Sequence, residues 1–131
     1  MWIKRAYEDI LARLVRQRPG ILVTGARQTG KTSLLKQSFP EHRFISLDLP
    51  SEAEEAERNP SSFLARHGTP LIVDEVQYAP GLFRYLKIAI DSRRRLKGQY
   101  LLTGSQKFTL MQGIFPLPGG IVAVPLEEAA Q

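Results

Sequence analysis

The chain has 131 residues, of which 43% are hydrophobic and 24% are charged, and its formal net charge is +5. This composition excludes a disordered polar chain and is typical of one packed domain. The absence of cysteine excludes disulfides and thiolate metal sites. The charged start MWIKRAYEDI argues against a signal peptide. The lack of any apolar run near ~18 residues argues against a membrane span. We expect one cytoplasmic domain over 1–131, with no membrane partner and a basic surface compatible with phosphate-rich partners.

Helical and extended patterns alternate along the chain. An amphipathic helix comes first and ends at Pro19-Gly20; its apolar face consists of Ile3, Tyr7, Ile10, Leu11, Leu14 and Val15. In chain order there follow a strand over 20–24, a helix over 31–39, a strand over 43–48, two weakly helical pieces within 49–68, a strand over 70–77, a helix over 81–98, a strand over 99–106 and a candidate strand over 120–126. Ser51 and Ser61 are candidate caps for the two weak helices, and Gly68 closes the second.

This alternation predicts an α/β fold in three layers, with a mostly parallel sheet covered by helices on both faces. The run LIVDEVQ is continuously apolar before its acids, as expected for a strand that is buried on both faces.

The stretch GARQTGKTS has the Gly-x4-Gly-Lys-Thr spacing of a P-loop, the Walker A motif, and it lies between a predicted strand and a predicted helix. Glycines allow successive backbone N–H groups to point into one concavity, and the new helix adds its positive end. Lys31 would contact the β- and γ-phosphates and Thr32 would offer a hydroxyl to Mg²⁺. The alternative is an ordinary glycine turn. The predicted nucleotide-binding residues are Gly25, Ala26, Arg27, Gln28, Thr29, Gly30, Lys31, Thr32 and Ser33.

Two further strands end in polar residues. The apolar part of LIVDEVQ ends in Asp74 and Glu75, which resemble a Walker B pair: the first acid would hold Mg²⁺ and the second would act on an attacking water. The alternative is that both acids solvate the strand end or cap the next turn. LLTGSQ ends in small polar residues at the same predicted edge, where Ser105, or else Thr103, would sense the γ-phosphate. The alternative is an ordinary strand-end turn at Gly104.

Together GARQTGKTSLL, PLIVDEVQYAPGLFRYLK and YLLTGSQKFTLM resemble the bacterial and archaeal AAA-type ATPases that usually carry a C-terminal DUF4143 region. The resemblance covers about residues 4–112. It implies an ASCE-type P-loop fold with strand order 5-1-4-3-2 and ATP hydrolysis to ADP. It also implies Lys31 and Thr32 as phosphate and magnesium contacts, Asp74 on the metal, Glu75 as the catalytic carboxylate and Ser105 as the sensor.

The chain departs from that family after the last polar strand. Relatives continue into a second domain, so we expect this chain to correspond to the ATPase part alone, with residues 113–131 divergent or truncated. Where relatives have an arginine the sequence FPLPGGI has Ile121, which removes a cation for the transition state. Arg27 and Arg84 are possible substitutes.

We therefore expect nucleotide binding with weak or absent hydrolysis. A small P-loop kinase and a non-catalytic nucleotide-binding fragment are the alternatives. An unknown protein partner or the missing domain would complete the site. Nucleic-acid binding rests on charge and on the run RRRLK alone.

Overall fold

The computed structural model describes residues 2–25, 30–92, 97–105 and 121–125 of the chain. The helices are α1 (Trp2–Val15), α2 (Lys31–Ser38), α3 (Pro50–Arg58), α4 (Pro60–His67) and α5 (Pro80–Ser92), and a 3-10 turn spans Val76–Tyr78. The strands are β1 (Gly20–Thr24), β2 (Arg43–Ser46), β3 (Leu71–Asp74), β4 (Tyr100–Gly104) and β5 (Ile121–Pro125). None of the helices in these ranges is long and apolar enough to cross a membrane.

All five strands form one parallel sheet in the order β2-β3-β4-β1-β5, which confirms the predicted order read from the other edge. The register brings the strand ends level, because Thr24 pairs with Gly104 and Ser46 pairs with Asp74. The polar residues that end these strands in the sequence therefore meet at one edge of the sheet.

Apolar side chains of the strands alternate between two cores, one on each face of the sheet. Leu22, Val73 and Leu102 lie in the core that α3, α4 and α5 cover. Val23, Ile72 and Leu101 lie in the core that α1 and α2 cover. Burial on both faces explains why the strands read as continuous apolar runs, and it confirms the three-layer α/β fold. Of the predicted face of α1, Leu11 is fully buried and its neighbours in that face are half-buried, while the side chain of Ile3 lies outside the described part.

The starts of α3 and α4 differ from the prediction. Leu49 and Asn59 occupy the N-cap positions without a side-chain cap, and each helix begins with a proline. Proline fixes φ near the helical value and has no N–H to leave unpaired, so it starts a helix well. The capping roles predicted for Ser51 and Ser61 are therefore wrong. Gly68 ends α4 with φ 77°, as predicted.

Side chains of α3 fix the positions of α4 and α5. The backbone N–H of Gly81, in the first turn of α5, donates to Glu57 Oε1 at 2.6 Å. Arg66 of α4 forms ion pairs with Glu52 and Glu55 of α3. A hydrogen bond with His67, followed by contacts with Arg66, lowers the pKa of Glu52 even though its burial acts in the opposite direction.

Candidate functional site

Polar burial in the described part of the chain is confined to one edge of the sheet. Its buried polar and charged side chains are Thr24, Lys31, Asp74, Glu75 and Thr103, which are 0–7% exposed. They come from the carboxyl ends of β1, β3 and β4, from the residue after β3 and from the first turn of α2. Burying charges is costly unless they are paired or meet a ligand. This edge is therefore the candidate functional site.

Three hydroxyl groups from three elements hold the carboxylate of Asp74. Thr32 Oγ1 donates to Oδ1 at 2.5 Å and Thr103 Oγ1 donates to the same oxygen at 2.7 Å. Ser46 Oγ donates to Oδ2 at 3.2 Å. Hydrogen bonds to an ionised carboxylate are stronger than neutral ones, so Asp74 is held in one orientation.

Thr103 also fixes the backbone of the next acidic residue. Its hydroxyl accepts a hydrogen bond of 2.9 Å from the backbone N–H of Glu75. Glu75 has φ 62°, in the left-handed region that few residues other than glycine adopt. Such backbone strain persists when its surroundings impose it, and it is concentrated at functional sites. Thr103 thus ties the end of β4 to both acids that follow the apolar part of β3.

Both carboxylate oxygens of Glu75 have partners. Lys31 Nζ lies 3.9 Å from Oε1, and Gln77 Nε2 donates to Oε2 at 3.2 Å. The 3-10 turn brings Gln77 back toward Glu75, and the turn itself packs against Gly104. A Cβ added at Gly104 would lie 3.2 Å from Val76 Cγ2 in this turn. Gly104 therefore serves the close approach of this turn to β4.

A cavity of about 470 Å³ opens at this edge. The residues that line it are Gly30, Lys31, Thr32, Ser33, Asp48, Asp74 and Glu75. At its α2 side Gly30 is the N-cap with φ 82°, and no side chain caps the helix. The N–H groups and the positive end of the first turn are suited to an anion such as a phosphate.

The oxygen donors beside this anion site suit Mg²⁺. Magnesium is bound through one or two protein oxygens together with substrate phosphates and water. The Thr32 hydroxyl donates a hydrogen bond to Asp74 and keeps lone pairs for a metal. The donor set therefore fits the ion that the motif predicts.

The sequence-predicted residues do not all lie at the cavity. Gly30, Lys31, Thr32, Ser33, Asp74 and Glu75 line the cavity, and Gly25 follows β1 directly. Ala26, Arg27, Gln28 and Thr29 lie outside the described residues. Ser105 is half-buried just after β4 and does not line the cavity, so its sensor role stays a prediction. Arg84 is exposed on α5 and does not line it either.

Sequence reasoning missed Ser46, Asp48 and Gln77. Ser46 bonds to Asp74 and accepts the backbone N–H of Asp48, which lines the cavity. The signal was available for the first two, since RFISLD ends a strand in polar residues just as LIVDEVQ does. The role of Gln77 depends on how the turn after Glu75 folds back, which sequence spacing does not give.

Comparisons with known proteins give a matching family and a few similar proteins. A family model described as an AAA domain, AAA_14, matches residues 17–125. The uncharacterized proteins Rv2008c of Mycobacterium tuberculosis and Mb2031c of Mycobacterium bovis are each 33% identical over 100 residues, covering 72% of this chain and 22% of the relative. The chain thus spans about a fifth of the length of the curated relatives it matches. These matches do not bear on the DUF4143 region, which stays a prediction.

A solved structure, that of a DNA replication initiation factor, is similar in fold. Its TM-score is 0.54 at 22% identity, over 94% of this chain and 44% of that chain. Identity this low shows likeness of fold alone.

Proposed function

This chain belongs to the AAA domain family, whose model matches residues 17–125, and from that premise we propose that it binds ATP with Mg²⁺ and that, alone, it hydrolyses ATP to ADP slowly or not at all. Family and fold establish a nucleotide-binding domain of the P-loop ATPase type. One observation carries the finer proposal. Asp74 accepts a hydrogen bond of 2.5 Å from Thr32, which lies in the first turn of α2, and no side chain caps the N-terminus of this helix. A metal-binding carboxylate and an anion site therefore adjoin.

The proposed phosphate site consists of residues 25–33. Lys31 is 5% exposed and its ammonium lies near Glu75, so its positive charge is held at the cavity rather than in solvent. Triphosphate oxygens would share that charge with Glu75. We propose that Thr32 and Asp74 hold Mg²⁺, which neutralises charge on the phosphates when bound.

Glu75 is proposed to orient an attacking water and accept its proton. Its carboxylate is 3.2 Å from Gln77 Nε2, and its backbone is fixed through Thr103, so the base is held in place before a ligand arrives. Water activation favours an ATPase over a small kinase, which transfers phosphate to a metabolite. Ser105 stays the proposed γ-phosphate sensor.

Slow turnover is expected because the site is poor in positive charge. Among the described residues that line the cavity, Lys31 is the sole basic side chain. A missing arginine costs on the order of 10³–10⁵ in rate in phosphoryl transfer. We propose that a partner protein, or a further domain, supplies an arginine to the site; the relatives are long enough to contain such a domain. We also propose that the reaction takes place in the cytoplasm.

Two substitutions on one helix test nucleotide binding. Lys31→Met should remove most ATP affinity in calorimetry with Mg²⁺, whereas Lys36→Met makes the same chemical change at an exposed position of α2 and should bind like the unaltered chain. Because Lys31→Met also leaves Glu75 without its cation, circular dichroism must first show that the variant is folded. Equal ATP affinity in the two folded variants would overturn the proposed site.

A second pair of measurements tests the metal and the reaction. Asp74→Asn should weaken ATP binding with Mg²⁺ much more than without it, because the lost charge faces the metal. Phosphate recovered on an added small molecule instead of as free phosphate would favour the kinase. Turnover near ~1–10 s⁻¹ by the pure chain alone would contradict the expected slow hydrolysis.

A further inference from the structure

Basic side chains gather at the opposite edge of the sheet, where the strands begin. The exposed basic residues near this edge in the described part are Arg13, Arg16, Arg18, Arg43 and Lys97, and we call this group the basic edge. They belong to the end of α1, the turn before β1, the start of β2 and the connection into β4. Residues far apart in sequence thus contribute to one surface, on the far side of the sheet from the ATP site.

Backbone contacts hold these connections together. The N–H of Gly98 donates to the carbonyl of Arg18 at 2.8 Å, which places Lys97 beside the turn that follows α1. The ring of His42 lies 3.0 Å from the carbonyl oxygen of Gly98, so the segment before β2 meets the same point. Arg16 bonds back to the carbonyl of Arg13 within that turn. The basic edge is therefore continuous from α1 to the start of β2.

Carboxylates are scarce in the connections that form this edge. In the described parts of the connections that precede β1, β2, β3 and β4, Glu41 is the sole acidic residue. No ion pair among the described residues involves Arg13, Arg16 or Arg18, whereas Arg66 on α4 is paired with two glutamates. Arg43 donates to the carbonyl of His67, which leaves its charge uncompensated. The surface thus keeps a positive potential.

We propose that the basic edge binds the phosphate backbone of double-stranded DNA, independently of the ATP site. Four of its five cations are arginines, whose planar guanidinium groups match phosphate oxygens in pairs. Single strands are bound by aromatic side chains that stack on bases as well as by charge. Among the described residues, the exposed aromatic residue nearest in sequence is Phe44, and the ammonium of Lys36 covers its ring at 4.3 Å. Charge without an open stacking surface favours duplex DNA.

The salt dependence of binding tests the surface. Fluorescence anisotropy with a labelled 20-base-pair duplex between 50 and 200 mM NaCl gives the slope of log K against log salt, which is about −0.9 per phosphate contacted. The triple substitution of Arg13, Arg16 and Arg18 to Gln should reduce the size of that slope by about 2–3 and weaken binding at least tenfold at low salt. The double substitution of Arg43 and Lys97 to Gln should reduce it by about 1–2.

A matched double, Arg5→Gln and Arg58→Gln, removes the same charge as the Arg43 and Lys97 double from exposed positions elsewhere and should change the slope by less than one. Equal losses in the two doubles would show a net-charge effect and overturn the proposal. It would also be overturned by absent duplex binding at 50 mM NaCl, or by tighter binding to a single strand or to anionic phospholipid vesicles. ATP affinity measured in the same variants should not change, so failure here is separate from failure of the ATP site.

Discussion

Replacing Thr103 with valine should destabilise the chain although the side chain keeps its shape. The substitution removes one of three hydrogen bonds to Asp74 and the acceptor for the backbone N–H of Glu75. Thr103 is 0% exposed, so water has no direct route to replace the hydroxyl. Because Asp74 keeps two other hydrogen-bond donors, the loss of the bond from Thr103 costs about 1 kcal/mol. The backbone N–H of Glu75 is left buried without an acceptor, which costs about 1–3 kcal/mol. The expected decrease in the free energy of unfolding is about 2–4 kcal/mol.

Thr103→Ser is the matched control, since it keeps the hydroxyl and deletes a buried methyl group worth about 0.8 kcal/mol. Urea unfolding without nucleotide or Mg²⁺ gives both free energies, provided that the denaturant slopes agree. If the hydrogen bonds of Thr103 stabilise the fold, the Thr103→Ser variant is more stable than the Thr103→Val variant. The opposite order would mean that Thr103 acts by packing alone, and it would refute the positioning role derived from its two contacts.

Three further outcomes are expected. Glu75→Gln should bind ATP within about threefold of the unaltered chain yet lose whatever phosphate release that chain shows; unchanged release would exclude Glu75 as the base. Glu57→Gln should lower the free energy of urea unfolding by about 0.5–1 kcal/mol, because the charge at the Gly81 N–H complements the start of α5; equal stability would contradict this tertiary cap. The pKa of Glu52 is lowered in the folded chain, chiefly by His67, so its stabilising effect is present above its ordinary pKa of 4.5 and is lost as the pH falls. Glu52→Gln should therefore be less stable than the unaltered chain near pH 6 and approach it toward pH 3; a constant difference would rule out this titration.

The sequence alone determined the strands and the main acids through signals that are local in the chain, while the strand order was implied by the family resemblance. Short apolar runs punctuated by glycine and proline mark strands such as 20–24, which the structure reproduces with the same bounds. In a parallel sheet every strand has its carboxyl end at one edge, so Asp74 and Lys31 had to meet once the fold class was known.

Only the tertiary structure decided which side chains complete the site and what lies opposite it. The Thr103 hydroxyl reaches Asp74 across 29 positions of sequence, Ser46 reaches it across 28, and Gln77 reaches Glu75 through a turn that packs on Gly104. Such contacts depend on strand register and backbone direction to within about an ångström. Residue type and spacing do not predict register and backbone direction with that precision, because any small polar residue at a strand end satisfies the same pattern.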